Sequence, residues 1–305
     1  MLEEEIYTVE EVARLLKVSK LTVYDLIKKD ELEAYRVGRQ MRIERTALEA
    51  YKQRGRGSNL KPVEVIENEV SATAGRIIIS GQDPCMDLLA RELEGKGAGQ
   101  PLRSQSGSLD GLVSMYRGEA DIVSTHLFDG DTKTYNIPYI RKLLVSQSFV
   151  VLHFIKREAG IYVQKGNPEN ISEWPDLAKP GITIANREPG AGARVLLDEQ
   201  LRLNGIGKDS VAGYDSIYTS HLAVAGAVAA GRANAGVGIS RVAGSANVDF
   251  VPMITEQYDI VLLKNQHTEK LIQHVKDLLR SVDLQEELAS VGYDTTGMGE
   301  VLYEQ

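Results

Sequence analysis

Residues 7–43 read YTVEEVARLLKVSKLTVYDLIKKDELEAYRVGRQMRI, and the pattern of apolar positions changes twice along them. Tyr7–Leu16 places Val9, Val12, Ala13, Leu15 and Leu16 at helical spacing, and Thr8 with Glu11 fits a T-x-x-E capping box at its start. Lys17-Val18-Ser19 is expected to be a tight turn. Ser19 can cap a second helix over Lys20–Lys29, where Val23, Leu26 and Ile27 repeat at helical spacing. Glu33–Ile43 then looks like a β-hairpin turning at Val37-Gly38-Arg39-Gln40, with Gly38 free to take a positive φ. Glu44–Tyr51 reads as a third helix. The order is helix, turn, helix, wing.

That order resembles the excisionase-like branch of the MerR-type winged helix-turn-helix family. The matching residues are Tyr7-Thr8-Val9-Glu10-Glu11-Val12-Ala13, Val18-Ser19, Thr22-Val23-Tyr24 and Val37-Gly38-Arg39-Gln40-Met41-Arg42-Ile43. The resemblance covers about residues 5–53 and implies binding to double-stranded DNA. Lys20, Thr22, Tyr24, Lys28, Arg36, Arg39, Gln40 and Arg42 fall on the second helix and the wing, where a groove and its phosphates would lie. The charge distribution agrees with this. Residues 1–61 carry 13 Lys and Arg against 11 Asp and Glu, although the whole chain carries 35 against 43 and a net charge of −8. One local basic patch suffices for DNA even on an acidic chain.

A module of about fifty residues leaves most of a 305-residue chain to do something else. With 43% hydrophobic residues, that remainder can bury a sizeable core. No apolar run approaches the ~18 residues of a membrane span, and the start, Met-Leu-Glu-Glu-Glu, lacks the basic and apolar regions of a secretory signal. Cys85 is the single cysteine, so no intrachain disulfide forms. A cytoplasmic protein is expected, with no membrane partner. The scattered histidines show no zinc spacing, and neither a metal nor a cofactor is expected.

Arg54-Gly55-Arg56-Gly57-Ser58-Asn59-Leu60-Lys61-Pro62 is a polar, glycine-rich break. The expected division is a DNA-binding domain over 1–53, a linker over 54–74 and a ligand-binding domain over 75–305. Beyond the break, short strands alternate with helices. Strands are expected at 76–80, 100–104, 120–124, 150–154, 161–163, 181–185, 235–238 and 259–263. Helices are expected at 85–94, 109–117, 193–204, 221–230 and 269–281. This alternation predicts an α/β fold with a mainly parallel sheet. The loops after the strands are small and polar: Ser80-Gly81-Gln82-Asp83, Ser104-Gln105-Ser106-Gly107-Ser108, Ser124-Thr125-His126 and residues 186–194, NREPGAGAR. Ligands collect at the carboxyl ends of such strands, and helix N-termini there favour anions.

These loops carry a second resemblance. Residues 75–305 look like a two-lobed type 2 periplasmic-binding-protein domain of the molybdate- and tungstate-binding-like group. The marks are Ser106-Gly107-Ser108-Leu109-Asp110-Gly111-Leu112, Gly118-Glu119-Ala120-Asp121-Ile122, Thr125-His126-Leu127, Tyr135-Asn136-Ile137-Pro138, Asn186-Arg187, Gly190-Ala191-Gly192-Ala193-Arg194, Ser220-His221-Leu222 and Gly231-Arg232-Ala233-Asn234-Ala235-Gly236-Val237-Gly238. The resemblance implies lobe one over about 75–155 and 257–305, and lobe two over about 156–256. It implies a small anion, molybdate or tungstate first, held by Ser80, Ser106, Ser108, Thr125, His126, Gly190, Gly192, Arg194, Ser220 and His221. One departure bears on that ligand. The family loop reads Gly-Ser-Gly-Thr-Arg, and here Ala191 and Ala193 replace both hydroxyl residues.

The expectation is therefore a one-component regulator of transcription, acting as a homodimer because one short recognition helix makes few base contacts. A small organic ligand in the same cleft is the alternative. An enzyme on the α/β scaffold is the rival from another class. No Gly-x-Ser-x-Gly elbow or Walker-type loop supports an enzyme, although Asp83, Asp110, Asp121 and His126 lie near strand ends.

Overall fold

A computed structural model of the chain describes residues 6–16, 18–29, 32–38, 40–54 and 75–305. The chain divides into two compact units, Met1–Val70 and Ser71–Gln305. Lys17, Arg39 and the linker expected beyond Arg54 lie outside the described residues.

The small unit runs β1 (Ile6–Thr8), α1 (Val9–Leu16), α2 (Lys20–Lys28), β2 (Tyr35–Val37), β3 (Gln40–Glu44) and α3 (Arg45–Arg54). The capping box is reciprocal. Thr8 N donates to Glu11 Oε2 at 2.7 Å, and Glu11 N donates to Thr8 Oγ1 at 3.3 Å. Ser19 Oγ caps α2 by accepting from Thr22 N at 3.1 Å. Gly38 turns the wing at φ +62°. The first helix is shorter than its sequence suggests, because Tyr7 and Thr8 pair with Ile43 and Arg42. The wing is thereby a three-stranded sheet, β1-β3-β2. Val9, Val12, Ala13, Val23, Leu32, Ile43 and Leu48 form the core. Leu15 stays half exposed, at 50%.

The large unit begins β4 (Arg76–Ser80), α4 (Cys85–Gly95), β5 (Gln100–Ser104), α5 (Ser108–Tyr116), β6 (Ile122–Thr125), β7 (Phe128–Asp129), β8 (Thr134–Tyr135) and α6 (Ile137–Leu143). Next come β9 (Phe149–Val163), a 3₁₀ turn (Trp174–Ala178), β10 (Ile184–Arg187), α7 (Gly192–Leu203), a 3₁₀ turn (Lys208–Ser210), β11 (Ile217–Tyr218), α8 (His221–Ala229), β12 (Ala235–Ile239) and α9 (Ser240–Ala246). The unit closes with β13 (Asp249–Leu263), α10 (Glu269–Leu279), α11 (Val282–Ser290) and β14 (Val301–Glu304).

One sheet runs β11-β10-β12-β9-β13-β6-β4-β5, with β14 beside β9. Its two ends are parallel, as expected for β/α alternation. Its middle is not. β9 and β13 are antiparallel to each other and to the strands beside them. The expectation of a mainly parallel sheet is corrected on this point. Residues 150–154 and 161–163 are two ends of one fifteen-residue strand. Lys156, Arg157 and Glu158 interrupt its apolar pattern where it passes from one lobe to the other.

Side-chain alternation along β9 sorts the cores. In lobe one, Leu152 and Phe154 pack with Leu89, Ile260 and Leu279, while Val151 packs with Leu112, Met115 and Ile140 on the other face. In lobe two, Ile161 and Val163 pack with Ile184, Leu197 and Val237, and Tyr162 faces Val224 and Val228. Each lobe thus buries both faces of its sheet under helices. The two long strands β9 and β13 carry the chain between the lobes.

Candidate ligand cleft and nucleic-acid interface

A cleft of about 690 Å³ opens at the carboxyl ends of the parallel strands, between the lobes. Lobe one contributes the loop after β4 (Gly81, Gln82, Asp83), the loop after β5 (Gln105–Ser108), and Ser124 and His126 at the end of β6. Lobe two contributes Arg187 and Glu188 after β10, residues 219–222 at the head of α8, and Ile239 and Val242. Arg157 of β9 and Tyr258 of β13 form its floor.

The floor is a buried charge network. Arg157 pairs with Asp83, and its Nε donates to Glu256 Oε1 at 2.5 Å, with the guanidinium 4.3 Å from the centre of the Tyr258 ring. Burial by itself would raise the Asp83 carboxyl. The Arg157 charge and the hydrogen bond from Tyr293 outweigh it and bring the group down to about 2. Burial also opposes ionisation of Glu256, and Arg157 and His126 bring it likewise to about 2. His126 Nδ1 lies 2.9 Å from Glu256 Oε2, and its backbone N donates to Ser108 Oγ at 3.2 Å. Tyr258 and Ser124 share a hydrogen bond of 2.6 Å.

The lobes touch across the cleft. Arg187 donates to Gln82 Oε1 at 2.5 Å, and Gln82 Nε2 donates to Glu188 Oε1 at 3.1 Å. Arg187 also grips both oxygens of Glu188, each at 2.8 Å. Leu109 N donates to Gly190 O at 3.1 Å. A Cβ on Gly107 would sit 3.0 Å from that same carbonyl, and a Cβ on Gly192 would come within 2.3 Å of His126 Cε1. Only glycine allows so close an approach.

The residues singled out from sequence divide into three groups. Ser106, Ser108, His126, Ser220 and His221 line the cleft. Ser220 also caps α8 by accepting from Ala223 N at 3.1 Å. His221 Nδ1 is buried without a hydrogen-bond partner, and burial pushes the ring well below its usual pKa, helped by the Arg187 and Arg157 charges. Gly190 and Gly192 do not line the cavity but form the interlobe contact just described. Ser80, Thr125 and Arg194 depart from expectation. The Ser80 and Thr125 hydroxyls are buried outside the cleft lining, because strand alternation turns Ser124 rather than Thr125 towards it. Arg194 donates to the carbonyls of Arg187 and Tyr214, pairs with Asp198 at 3.3 Å, and lies 3.9 Å from the Tyr214 ring centre. It braces lobe two from within. Arg157 was not anticipated, and Gln82, Arg187 and Glu188 were read only as members of the strand-end loops. The available signal was charge inside apolar strands, most plainly Arg157 opposite Glu256.

In the small unit, Lys20, Thr22, Tyr24, Lys28, Arg36 and Gln40 are exposed, and Arg42 is half-buried. Lys20, Tyr24 and Lys28 recur every four residues, on one face of α2. Thr22 bonds Ser19 through its hydroxyl at 2.8 Å, Lys20 pairs with Glu10, and Arg42 donates to Gln40 Oε1 at 3.0 Å. Arg39 lies outside the described residues. Among the described residues no group of His, Cys, Asp and Glu could hold a metal ion, and no helix is long and apolar enough to cross a membrane.

Comparison with known proteins adds the following. The family described as "PBP superfamily domain" matches residues 90–280, and a "Helix-turn-helix domain" family matches residues 6–56. The uncharacterized protein YvgK of Bacillus subtilis is 49% identical over the full length of both chains. Among solved structures, a phosphate ABC transporter substrate-binding protein from Clostridium perfringens, with bound phosphate, aligns at TM-score 0.52 and 15% identity, covering 72% of this chain and 99% of its own. EhuB in complex with hydroxyectoine aligns at 0.53 and 12%, covering 74% and 91%. At these identities the structural likeness concerns the fold alone.

Proposed function

The chain belongs to the PBP superfamily and carries an N-terminal helix-turn-helix domain, and on that premise we propose that it is a ligand-responsive, DNA-binding regulator of transcription. The large unit binds a small anion between its lobes, and closure around it changes the affinity of the small unit for DNA. The single observation that supports this best is the convergence of three strand-end loops of lobe one, and the head of α8 of lobe two, on one cleft in a chain that also carries a DNA-reading module. The helix N-termini at Gly107–Ser108 and at Ser220–Leu222 line the cleft, and the partial positive charge of such ends favours an anion. The ligand must favour one state over the other, since equal affinity for both shifts nothing. The protein acts in the cytoplasm, as a homodimer on two half-sites of duplex DNA, and has no catalytic step. Its domains are the DNA reader over 1–53, a linker over 54–74 and the sensor over 75–305.

Molybdate and tungstate are the first candidate ligands. The cavity volume favours a second reading, a small organic anion, because about 690 Å³ falls within the range of organic-ligand pockets. Titration calorimetry of the full chain with molybdate, tungstate, sulfate and phosphate separates the two readings. Heat from at least one oxyanion is expected. Silence from all four moves the assignment to an organic ligand, which native mass spectrometry of the purified chain then identifies.

Closure provides a further test. Gly192→Ala puts a methyl group against the His126 ring, and such overpacking costs about 1–3 kcal/mol. Because that cost falls on the closed form, ligand affinity is expected to drop by roughly 5- to 150-fold. X-ray scattering in the presence of ligand should then report a wider particle than the parent. Unchanged affinity would mean that the loop around Gly192 does not close on lobe one.

A further inference from the structure

The charges lining the cleft are already matched. Arg157 is matched by Asp83 and Glu256, and Arg187 by both oxygens of Glu188. No lysine is among the lining residues, and Asp110 adds another carboxylate at the rim. An incoming anion therefore meets no unmatched cation among the described lining residues, and its own charge adds to an excess of carboxylates. His126 is already held by Glu256, and the lining group left to gain a positive charge is His221.

His221 has a buried Nδ1 with no partner. The charged groups acting on it come from three strands: Arg187 of β10, Arg157 of β9 and Glu256 of β13, with His126 beyond. His126 is held by Glu256 at 2.9 Å and lies over Tyr258, with ring centres 5.3 Å apart. Asp110 of α5 and Arg157, on the far side of Glu256, complete its charged surroundings. Gly192, at the start of α7, touches its ring and brings no charge.

We propose that the cleft binds its anion together with a proton, and that His221 is the group that accepts it and so determines which charge state the cleft selects. This rests on the anion reading above. In the empty cleft, burial and the two arginines keep His221 uncharged at neutral pH. A bound anion reverses the balance, since a negative charge within a few ångströms favours the protonated ring, as it does for any histidine gaining a carboxylate partner. The sign follows from linkage. Affinity is highest below the pKa of the empty state and is lost as pH rises from there through the pKa of the occupied state, by up to about tenfold per pH unit for each coupled proton.

The test uses the full chain with molybdate and sulfate, which stay fully ionised across the range. Calorimetry at pH 7 in two buffers of different ionisation heat counts the protons taken up. Affinity measured from pH 6 to 8.5 gives the slope independently. Net uptake of a proton and affinity falling with pH are expected. His221→Gln is expected to abolish the uptake. Anion binding with no proton uptake and a flat pH profile overturns this inference and leaves the anion reading standing. So does uptake that survives His221→Gln. No heat with molybdate, tungstate, sulfate or phosphate removes the inference and the inorganic-oxyanion reading together. The DNA-binding reading is measured separately and does not depend on any of these outcomes. Because buffer-pair calorimetry needs no variant, a misfolded substitution leaves the question decidable.

Discussion

Arg157→Leu is expected to destabilise the large unit by about 3–5 kcal/mol at pH 7, the cost of leaving buried charges without their partner. Asp83 and Glu256 both rely on this guanidinium. With it, their folded pKa values fall to about 2, below the ordinary value of about 4. A depressed carboxylate contributes stability that is present above its unfolded pKa and lost as pH falls towards the folded one. In the variant the sign reverses. Without the guanidinium, burial raises Asp83 above its unfolded value and Glu256 keeps only His126 as a partner, so the deficit is largest at neutral pH and shrinks on acidification. Thermal melts of parent and variant at pH 7.5 and 5 check both points. A deficit that is absent, or that does not change with pH, would mean that the network does not carry the floor of the cleft.

The second large effect concerns DNA. Arg36 and Arg42 lie on the wing strands, and Lys28 ends α2. Removing Arg36 and Arg42 together should weaken binding to every sequence and lower the slope of log affinity against log salt by about 2, one counterion for each lost phosphate contact. Arg39 belongs to the same sequence patch and should add to the loss. Tyr24 is half exposed on the same face of α2 as Lys20 and Lys28, and its replacement should change sequence preference rather than salt dependence. A double variant that binds as well as the parent at every salt concentration would remove the wing from the interface.

Much of this protein was legible locally. Thr8 with Glu11, Ser19 and Gly38 are cap and turn residues whose roles depend only on near neighbours, and the structure uses them as read. The same holds for the short strand 76–80, which is apolar with clear breaks at both ends. What escaped depends on partners far along the chain. The antiparallel centre was missed because Lys156, Arg157 and Glu158 break a strand pattern that is continuous in space. Arg157 meets Asp83 and Glu256, 74 and 99 residues away, so nothing in its own segment identifies it. Arg194 and Arg187 show the same limit. Both sit beside the glycine-rich loop, yet the start of α7 turns Arg194 into lobe two, while Arg187, at the end of β10, faces the cleft. The pairing of Asp198 with Arg194 one helical turn away was visible, and it marked the structural role. The site was therefore legible as a set of loops and less so as a set of side chains.

The account stands on coupling between the cleft and the DNA reader, and one titration addresses it most directly. DNA selected from a random pool by the full chain is titrated by fluorescence anisotropy, with the cleft empty and with it saturated by the ligand that calorimetry or native mass spectrometry identifies. Linkage requires the ligand's own affinity to change by the same factor when DNA is bound. The account predicts a change in DNA affinity of about 5-fold or more, in either direction, with the reciprocal change in ligand affinity. Equal DNA affinity with the cleft empty and full would contradict it.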